Sequence, residues 1–356
     1  MVRSWGKTLV AGAVTLLLAG CGCTGPQGQS TGGETQEVVE EEVVEEEVIE
    51  PAESIEVERL GGADRYETMD QVVRAGFDKS TWAVVVTGEN FPDALAASSL
   101  AGAKDCPVVL CPTSELTGDV EALLKELGVT SVYVVGGESS VAPEVADALA
   151  AQEIDVTRVF GDDRYATSVE AAKATVEVDD TSDTLIICTG DGFADSLSIS
   201  PYSWKSASPI LLAQKGMLTD DEVAFAQEHG QFSRILIVGG DAAVAEDVKD
   251  QLGDGYEFER LEGQDRYETS AAVAEWVCDN GFTWSTPGLA TGENFPDALA
   301  GSALMGQNAC PLLLVSDGSD VAQKTIAAHR DEVTRLVVLG GEASVSAELV
   351  DSIALG

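Results

Sequence analysis

Four sequence blocks recur in one order, three times over, along this 356-residue chain, at a spacing of about a hundred residues. The first block is R-x-x-G-x-D-R-Y-x-T: RLGGADRYET from Arg59, RVFGDDRYAT from Arg158 and RLEGQDRYET from Arg260. The second reads TGENFPDALA from Thr87, TGDGFADSLS from Thr189 and TGENFPDALA from Thr291. A Pro-led apolar run follows at Pro107, Pro209 and Pro311, and a Gly pair comes last, at Gly136-Gly137, Gly239-Gly240 and Gly340-Gly341. Ordered self-similarity of this kind marks a repeated structural unit. It confines the fold to three similar modules and places the function in what three copies do together.

Within copy one the local patterns alternate. Met69, Val72, Val73 and Phe77 fall on one helical face, and residues 83–86 form a short β-branched run that ends at Thr87-Gly88. Asp93, preceded by Pro92, opens an Ala-rich helix through Ala101. Residues 107–110 and 132–135 read as further buried strands, and residues 120–127 and 143–149 as helices. Alternating strands and helices with short links imply an α/β fold, with parallel sheets flanked by helices on both faces. Copies two and three repeat the order, which gives modules at 56–155, 156–257 and 258–356, each of ordinary domain size.

The segment before the repeats differs in kind. Arg3 and Lys7 precede the apolar stretch 9–18, as in a signal peptide spanning 1–20, and the stretch is too short to span a bilayer. Leu18-Ala19-Gly20-Cys21 resembles the bacterial lipobox, so Cys21 is the expected lipidation site and the membrane a partner through that anchor. Residues 21–55 are low in complexity, carry ten glutamates and no basic residue, and read as a disordered, self-repelling tether.

Net charge is −42, and the repeats remain strongly acidic without the tether. General electrostatic binding to nucleic acid or anionic lipid is thereby excluded. Six of the ten arginines after residue 55 are the motif residues Arg59, Arg65, Arg158, Arg164, Arg260 and Arg266, so positive charge is scarce and in register. The seven cysteines form no disulfide framework; Cys106, Cys111, Cys188, Cys278 and Cys310 read as buried free thiols.

The triplicated blocks resemble the cell wall-binding repeat 2 family, over roughly residue 56 to the C-terminus. The resemblance implies three modules packed around a pseudo-threefold axis. It also implies non-covalent attachment to an anionic wall polysaccharide or teichoic-type polymer. Copy two departs from the pattern: Ala166 replaces Glu, and TGDGFADSLS lacks the Pro that precedes Asp93 and Asp297. An acidic body is an awkward partner for an anionic polymer: either the ligand sits at a local arginine site, or a divalent cation bridges the two, or this chain binds something else; no other cofactor is expected.

Two roles stand open for the motif residues. Arg59, Arg65, Tyr66, Arg158, Arg164, Tyr165, Arg260, Arg266 and Tyr267 are candidate ligand-binding residues facing a groove. Alternatively, the arginines fork onto the helix-entry carboxylates Asp93, Asp195 and Asp297 and lock module to module. The Thr-Gly and Gly-Gly turns lie at carboxyl ends of parallel strands, where open α/β sheets bind ligands, yet none matches a nucleotide-binding loop. His229 and His329 sit at unrepeated positions without metal-ligand spacing, and no nucleophile elbow or H-E-x-x-H occurs, so neither a catalytic nor a metal residue is assigned. The expectation is a lipid-anchored, wall-binding protein on the outer face of the cytoplasmic membrane. A self-associating surface or adhesion scaffold and a solute-binding lipoprotein are the competing classes. The hundred-residue triplication argues against the two-lobed receptor.

Overall fold

The computed structural model describes residues 55–355; the leader, Cys21 and the acidic tether lie outside the described residues. Repeat one runs β1 (Glu56–Leu60), α1 (Arg65–Gly76), β2 (Trp82–Thr87), a 3-10 turn (Ala94–Ala96) leading into α2 (Ala97–Ala103), β3 (Val108–Cys111), α3 (Gly118–Leu127), β4 (Ser131–Val135) and α4 (Pro143–Ala150). Repeat two follows with β5 (Asp155–Val159), α5 (Arg164–Val178), β6 (Thr184–Thr189), α6 (Ala194–Ser206), β7 (Ile210–Ala213), α7 (Asp220–Glu228), β8 (Arg234–Val238) and α8 (Asp247–Leu252). Repeat three closes with β9 (Glu257–Leu261), α9 (Arg266–Asp279), β10 (Gly288–Thr291), α10 (Pro296–Asn308), β11 (Leu312–Val315), α11 (Val321–Ala328), β12 (Arg335–Leu339) and α12 (Ala347–Leu355).

Each repeat builds a four-stranded parallel sheet, but only three of the four strands are its own. The orders are β3-β2-β4-β5, β7-β6-β8-β9 and β1-β12-β10-β11. Repeat two thus lends its opening strand to repeat one, and repeat three lends its own to repeat two. Repeat one closes the cycle by pairing β1 with β12, from Glu56 against Arg335 to Leu60 against Leu339. Arg335 reinforces that pairing by reaching Glu56 at 3.3 Å and Glu58 at 3.1 Å.

The sequence reading finds three strands per module and overlooks this fourth. The lent strands are edge strands whose exposed residues, Val57 apart, are charged or polar, with burial rising only toward Leu60, Val159 and Leu261. They lack the continuous apolar run that identifies a buried parallel strand. Their partners lie far away in sequence, beyond the reach of any local pattern.

Period-2 alternation divides the core into layers. In repeat two, Ile186 and Cys188 of β6 face a core shared by all three repeats, whereas Leu185 and Ile187 face an outer core of that repeat alone. Repeat three does the same with Val337 and Leu339 inward and Leu336 and Val338 outward. Helices α2, α6 and α10 meet in the shared core. Gly102 and Gly306 permit this approach: a Cβ on Gly102 would lie 1.7 Å from the Trp204 carbonyl oxygen, and one on Gly306 2.7 Å from that of Pro201. Cys106, Cys111, Cys188 and Cys310 are buried free thiols and Cys278 a half-buried one. Burial pushes the Cys111 and Cys278 thiols up to about 12.

Candidate functional site

Each residue of the opening motif has a definable structural task at a repeat junction. Its first arginine leaves the lent edge strand and donates to the Gly-Gly turn of the neighbouring strand. Arg59 Nη1 reaches the Gly340 carbonyl at 2.9 Å, Arg158 Nη1 that of Gly136 at 2.8 Å, and Arg260 Nη1 that of Gly239 at 2.7 Å. All three bonds run between repeats. Arg158 also reaches the Val141 carbonyl at 2.9 Å. Charge-assisted hydrogen bonds to half-buried acceptors contribute about 1.5–3 kcal/mol, so Arg158→Ala is expected to cost about 2 kcal/mol. The expected fall in thermal midpoint is roughly 4–8 °C; an unchanged midpoint would remove the arginine from this role.

The motif glycine is dictated by space. A Cβ on Gly62, Gly161 or Gly263 would lie 2.2–2.4 Å from the Cβ of Glu67, Ala166 or Glu268 in the first turn of the following helix. Asp64, Asp163 and Asp265 cap α1, α5 and α9, each carboxylate accepting from two backbone N–H groups, Tyr66 and Glu67 in the first copy. Glu67 and Glu268 reciprocate by accepting from the backbone N–H of Ala63 and Gln264, both at 2.8 Å. Ala166 cannot, which accounts for what copy two lost. Thr68, Thr167 and Thr269 finish the loop by accepting from the Gly62, Gly161 and Gly263 N–H groups, each at 3.1 Å.

The second arginine and the tyrosine act on the Thr-Gly turn of their own repeat. Arg65, Arg164 and Arg266 donate through Nη1 to the carbonyls of Gly88, Gly190 and Gly292. The tyrosine rings cover the same glycines so closely that a Cβ would lie 2.5–2.8 Å from a ring carbon. Arg164 and Arg266 also stack over Phe91 and Phe193 of the preceding repeat, 5.8 and 5.4 Å from the ring centres. Phe91, Phe193 and Phe295, equivalent in the three copies, meet one another with centroids 5.6–6.2 Å apart.

The aspartates of the second block do not form the ion pairs weighed from sequence. Among the described residues no motif arginine lies within 4.0 Å of Asp93, Asp195 or Asp297. Nor does the Asp93 side chain cap its helix. Their carboxylates instead lie over Gly136, Gly239 and Gly340, where a Cβ would meet a carboxylate oxygen at 2.5–3.0 Å and the backbone runs at φ between +111° and +119°. Only glycine suits such a turn. Ser140 donates to Asp93 and Ser344 to Asp297, but Ala243 holds the equivalent position beside Asp195. Burial therefore pushes the Asp195 carboxyl up to about 6, opposed only by the charge of Arg266. Asp297 is raised by burial too, with Ser344, Arg65 and Thr68 opposing the shift.

These turns enclose three equivalent pockets, one per junction, at the carboxyl ends of the strands. Their volumes are about 250, 470 and 150 Å³. The first joins Asn90, Asp93 and Ser139 of repeat one to Asp162, Asp163 and Arg164 of repeat two. The second joins Asp191, Asp195 and Ala242 to Asp265 and Arg266, and the third joins Asn294, Asp297 and Ala343 to Asp64 and Arg65. Each pocket sets a single guanidinium among two or three carboxylates. That lining accepts hydrogen bonds from hydroxyl groups and offers one positive point, rather than a cluster of cations.

Of the nine candidate ligand residues, Arg65, Arg164 and Arg266 face these pockets. Arg59, Arg158 and Arg260 turn to backbone carbonyls outside them. Tyr66 and Tyr267 line separate clefts beside α3 and α11. His229 bonds the Phe225 carbonyl, and His329 stacks on Trp284 between Glu275 and Glu332, both away from the pockets. Among the described residues no three His, Cys, Asp or Glu side chains are grouped to hold a metal ion. The third strand's GGESS, GGDAA and GGEAS continuations carried an unread signal for the hydroxyl beside the buried aspartate.

Known proteins share this architecture. The chain is similar to Cwp6 from Clostridium difficile, with a TM-score of 0.77 and 24% identity, covering 85% of this chain and 48% of that one. Cwp8 from the same organism gives a TM-score of 0.75 and 26% identity over 84% of this chain and 51% of that one. N-acetylmuramoyl-L-alanine amidase LytC of Bacillus subtilis is 26% identical over 299 residues, 83% of this chain and 58% of that protein. The amidase enhancer of the same bacterium is 27% identical over 299 residues, 83% of this chain and 40% of that protein. The chain thus spans about half the length of these curated relatives. The family model described as Cell wall binding domain 2 matches residues 59–151, 158–249 and 260–350. Each match starts on the junction arginine of a lent strand and ends at the last helix of its repeat, and the chain belongs to this family of cell wall binding domains.

Proposed function

We propose that this is a non-catalytic envelope protein that holds a cell-wall glycopolymer at its three repeat junctions. The observation that carries the reading is the threefold recurrence of one pocket, built from the same turns and furnished each time with one arginine. A polymer of identical units presents the same group many times, so three weak pockets on one body bind it with avidity far above that of one. The carboxylates and hydroxyls of the lining suit sugar hydroxyl groups, and the arginine suits an anionic substituent. In this reading the modules sit about a pseudo-threefold axis, Cys21 carries the lipid anchor, and the acidic segment lets the body reach from the outer face of the membrane into the wall.

Filling the pockets tests the proposal. Ser139, Ala242 and Ala343 occupy equivalent exposed positions at the three mouths. Surface changes usually alter stability by less than about 0.5 kcal/mol, so Ser139→Trp, Ala242→Trp and Ala343→Trp together are expected to leave the thermal midpoint within about 2 °C. Retention on wall sacculi is expected to fall at least about tenfold, the equivalent of about 1.4 kcal/mol. A triple variant that folds and binds as well as the parent would remove the junctions from the binding site.

A further inference from the structure

The three junctions are alike in their turns but not in their rims. The position just before the motif glycine is Gly61 at one junction, Phe160 at another and Glu262 at the last. Phe160 is 49% exposed and is the one exposed aromatic side chain among the described residues. Burying a phenylalanine stabilises a fold by about 1.5–3 kcal/mol, and this ring forgoes that gain. The fold does not require an aromatic group here, since a glycine and a glutamate serve in the other copies. At Gly61 a side chain would be excluded, because a Cβ would lie 2.5 Å from Gly340 backbone atoms. At the first junction the backbone leaves room, and the ring flanks the Gly-Gly turn, with Cδ2 3.8 Å from where a Cβ of Gly137 would lie.

We infer that Phe160, at the rim of the first junction pocket beside its lining residues Gly137 and Gly161, is the stacking platform of a subsite for a neutral pyranose ring. This inference rests on the wall-glycopolymer reading above and gives it a specificity determinant. Three features of the pocket and its rim select the occupant. First, the ring offers an apolar face with negative π density, which attracts the C–H face of a sugar and repels an anion. Second, Asn90, Ser139 and Asp162 line the adjoining pocket and present an amide, a hydroxyl and a carboxylate for the hydroxyls at the sugar's edge. Third, Asp93, Asp162 and Asp163 outnumber Arg164, so a free phosphate would meet net repulsion. The volume of about 250 Å³ is below the roughly 300–1,000 Å³ of sites for drug-sized ligands, and it suits a single ring. The second junction pocket also has aromatic lining, but its Phe91 and Phe193 pack against each other and against Phe295, whereas Phe160 stands exposed beside the first.

The test uses the soluble chain from residue 22 onward, titrated against wall sacculi that retain their glycopolymers. An aromatic contact of this kind contributes about 0.5–1.5 kcal/mol, so Phe160→Ala is expected to weaken binding by about 3–10-fold. Phe160→Trp is expected to restore it, and Glu262→Ala, at the equivalent position of another junction, to leave it within about twofold. The thermal midpoint of Phe160→Ala should match the parent, since the ring is exposed. Parent and Phe160→Ala binding equally well would overturn the subsite and leave the glycopolymer reading intact. A loss that Phe160→Trp does not restore would also overturn it, as the contact would not be aromatic stacking. A parent chain that ignores the sacculi altogether would overturn both.

Discussion

Replacing Trp204 with alanine is expected to lower the unfolding free energy by about 3–5 kcal/mol, the usual cost of truncating a buried large aromatic. Trp204 belongs to repeat two but is only 4% exposed, because the other two repeats enclose it. Its Nε1–H donates to the Cys106 carbonyl of repeat one at 3.0 Å, and Phe77 of the same repeat packs edge-on at 6.3 Å. On the opposite side Gly306 of repeat three comes so close that a Cβ would lie 2.9 Å from the indole ring. Truncation would open a cavity at the meeting of three repeats and strand the Cys106 carbonyl. The thermal midpoint should fall by on the order of 10 °C or more, in a single transition, since the shared core couples the repeats. A loss below about 1 kcal/mol, or separate transitions for separate repeats, would show that the modules fold independently.

Glu222→Gln should raise stability at alkaline pH and leave it nearly unchanged in mild acid. Glu222 is fully buried in the first turn of α7, where its carboxylate accepts from the Thr219 N–H at 2.7 Å and the Thr219 hydroxyl at 2.9 Å. Ser168 lies opposite at 3.4 Å. Burial outweighs these bonds and pushes the carboxyl up to about 7 from 4.5. A folded value above the unfolded one means that the stabilising contribution is complete below the unfolded pKa and disappears as pH rises through about 7. At 1.36 kcal/mol per pH unit the penalty at pH 8 is on the order of 3 kcal/mol. The glutamine keeps an acceptor for Thr219 and never ionises, so it should recover about 2–3 kcal/mol at pH 8 and almost nothing at pH 4.5. Asp195 behaves similarly, with its window ending near 6. Denaturant titrations of both proteins at the two pH values check the difference; equal offsets at both would contradict the assignment.

The sequence was most legible where structure is local. Apolar runs marked β2, β3 and β4, and Gly128 ends α3 in the left-handed conformation, as its position after Leu127 implied. The charged lent strands were hidden because pairing such as β1 with β12 spans almost the whole globular chain. The arginines were only half legible. Their restriction to the repeated motif signalled a common task, but the acceptors are backbone carbonyls of turns, which leave no residue type to find. Asp93, Asp195 and Asp297 invited pairing with those arginines by charge alone. The positive-φ glycines that face them settle the geometry differently, each carboxylate resting on a turn. The junction pockets draw on two repeats each, so no single block reveals them.

The most direct measurement is sedimentation of the soluble chain from residue 22 onward with wall sacculi, before and after acid removal of the glycopolymers, each with and without EDTA. Binding that disappears with the glycopolymers is the predicted result, and loss with EDTA would identify a bridging cation between the acidic body and the polymer. Binding that survives stripping, or no binding to intact sacculi, would contradict the proposal that the three junctions hold a wall glycopolymer.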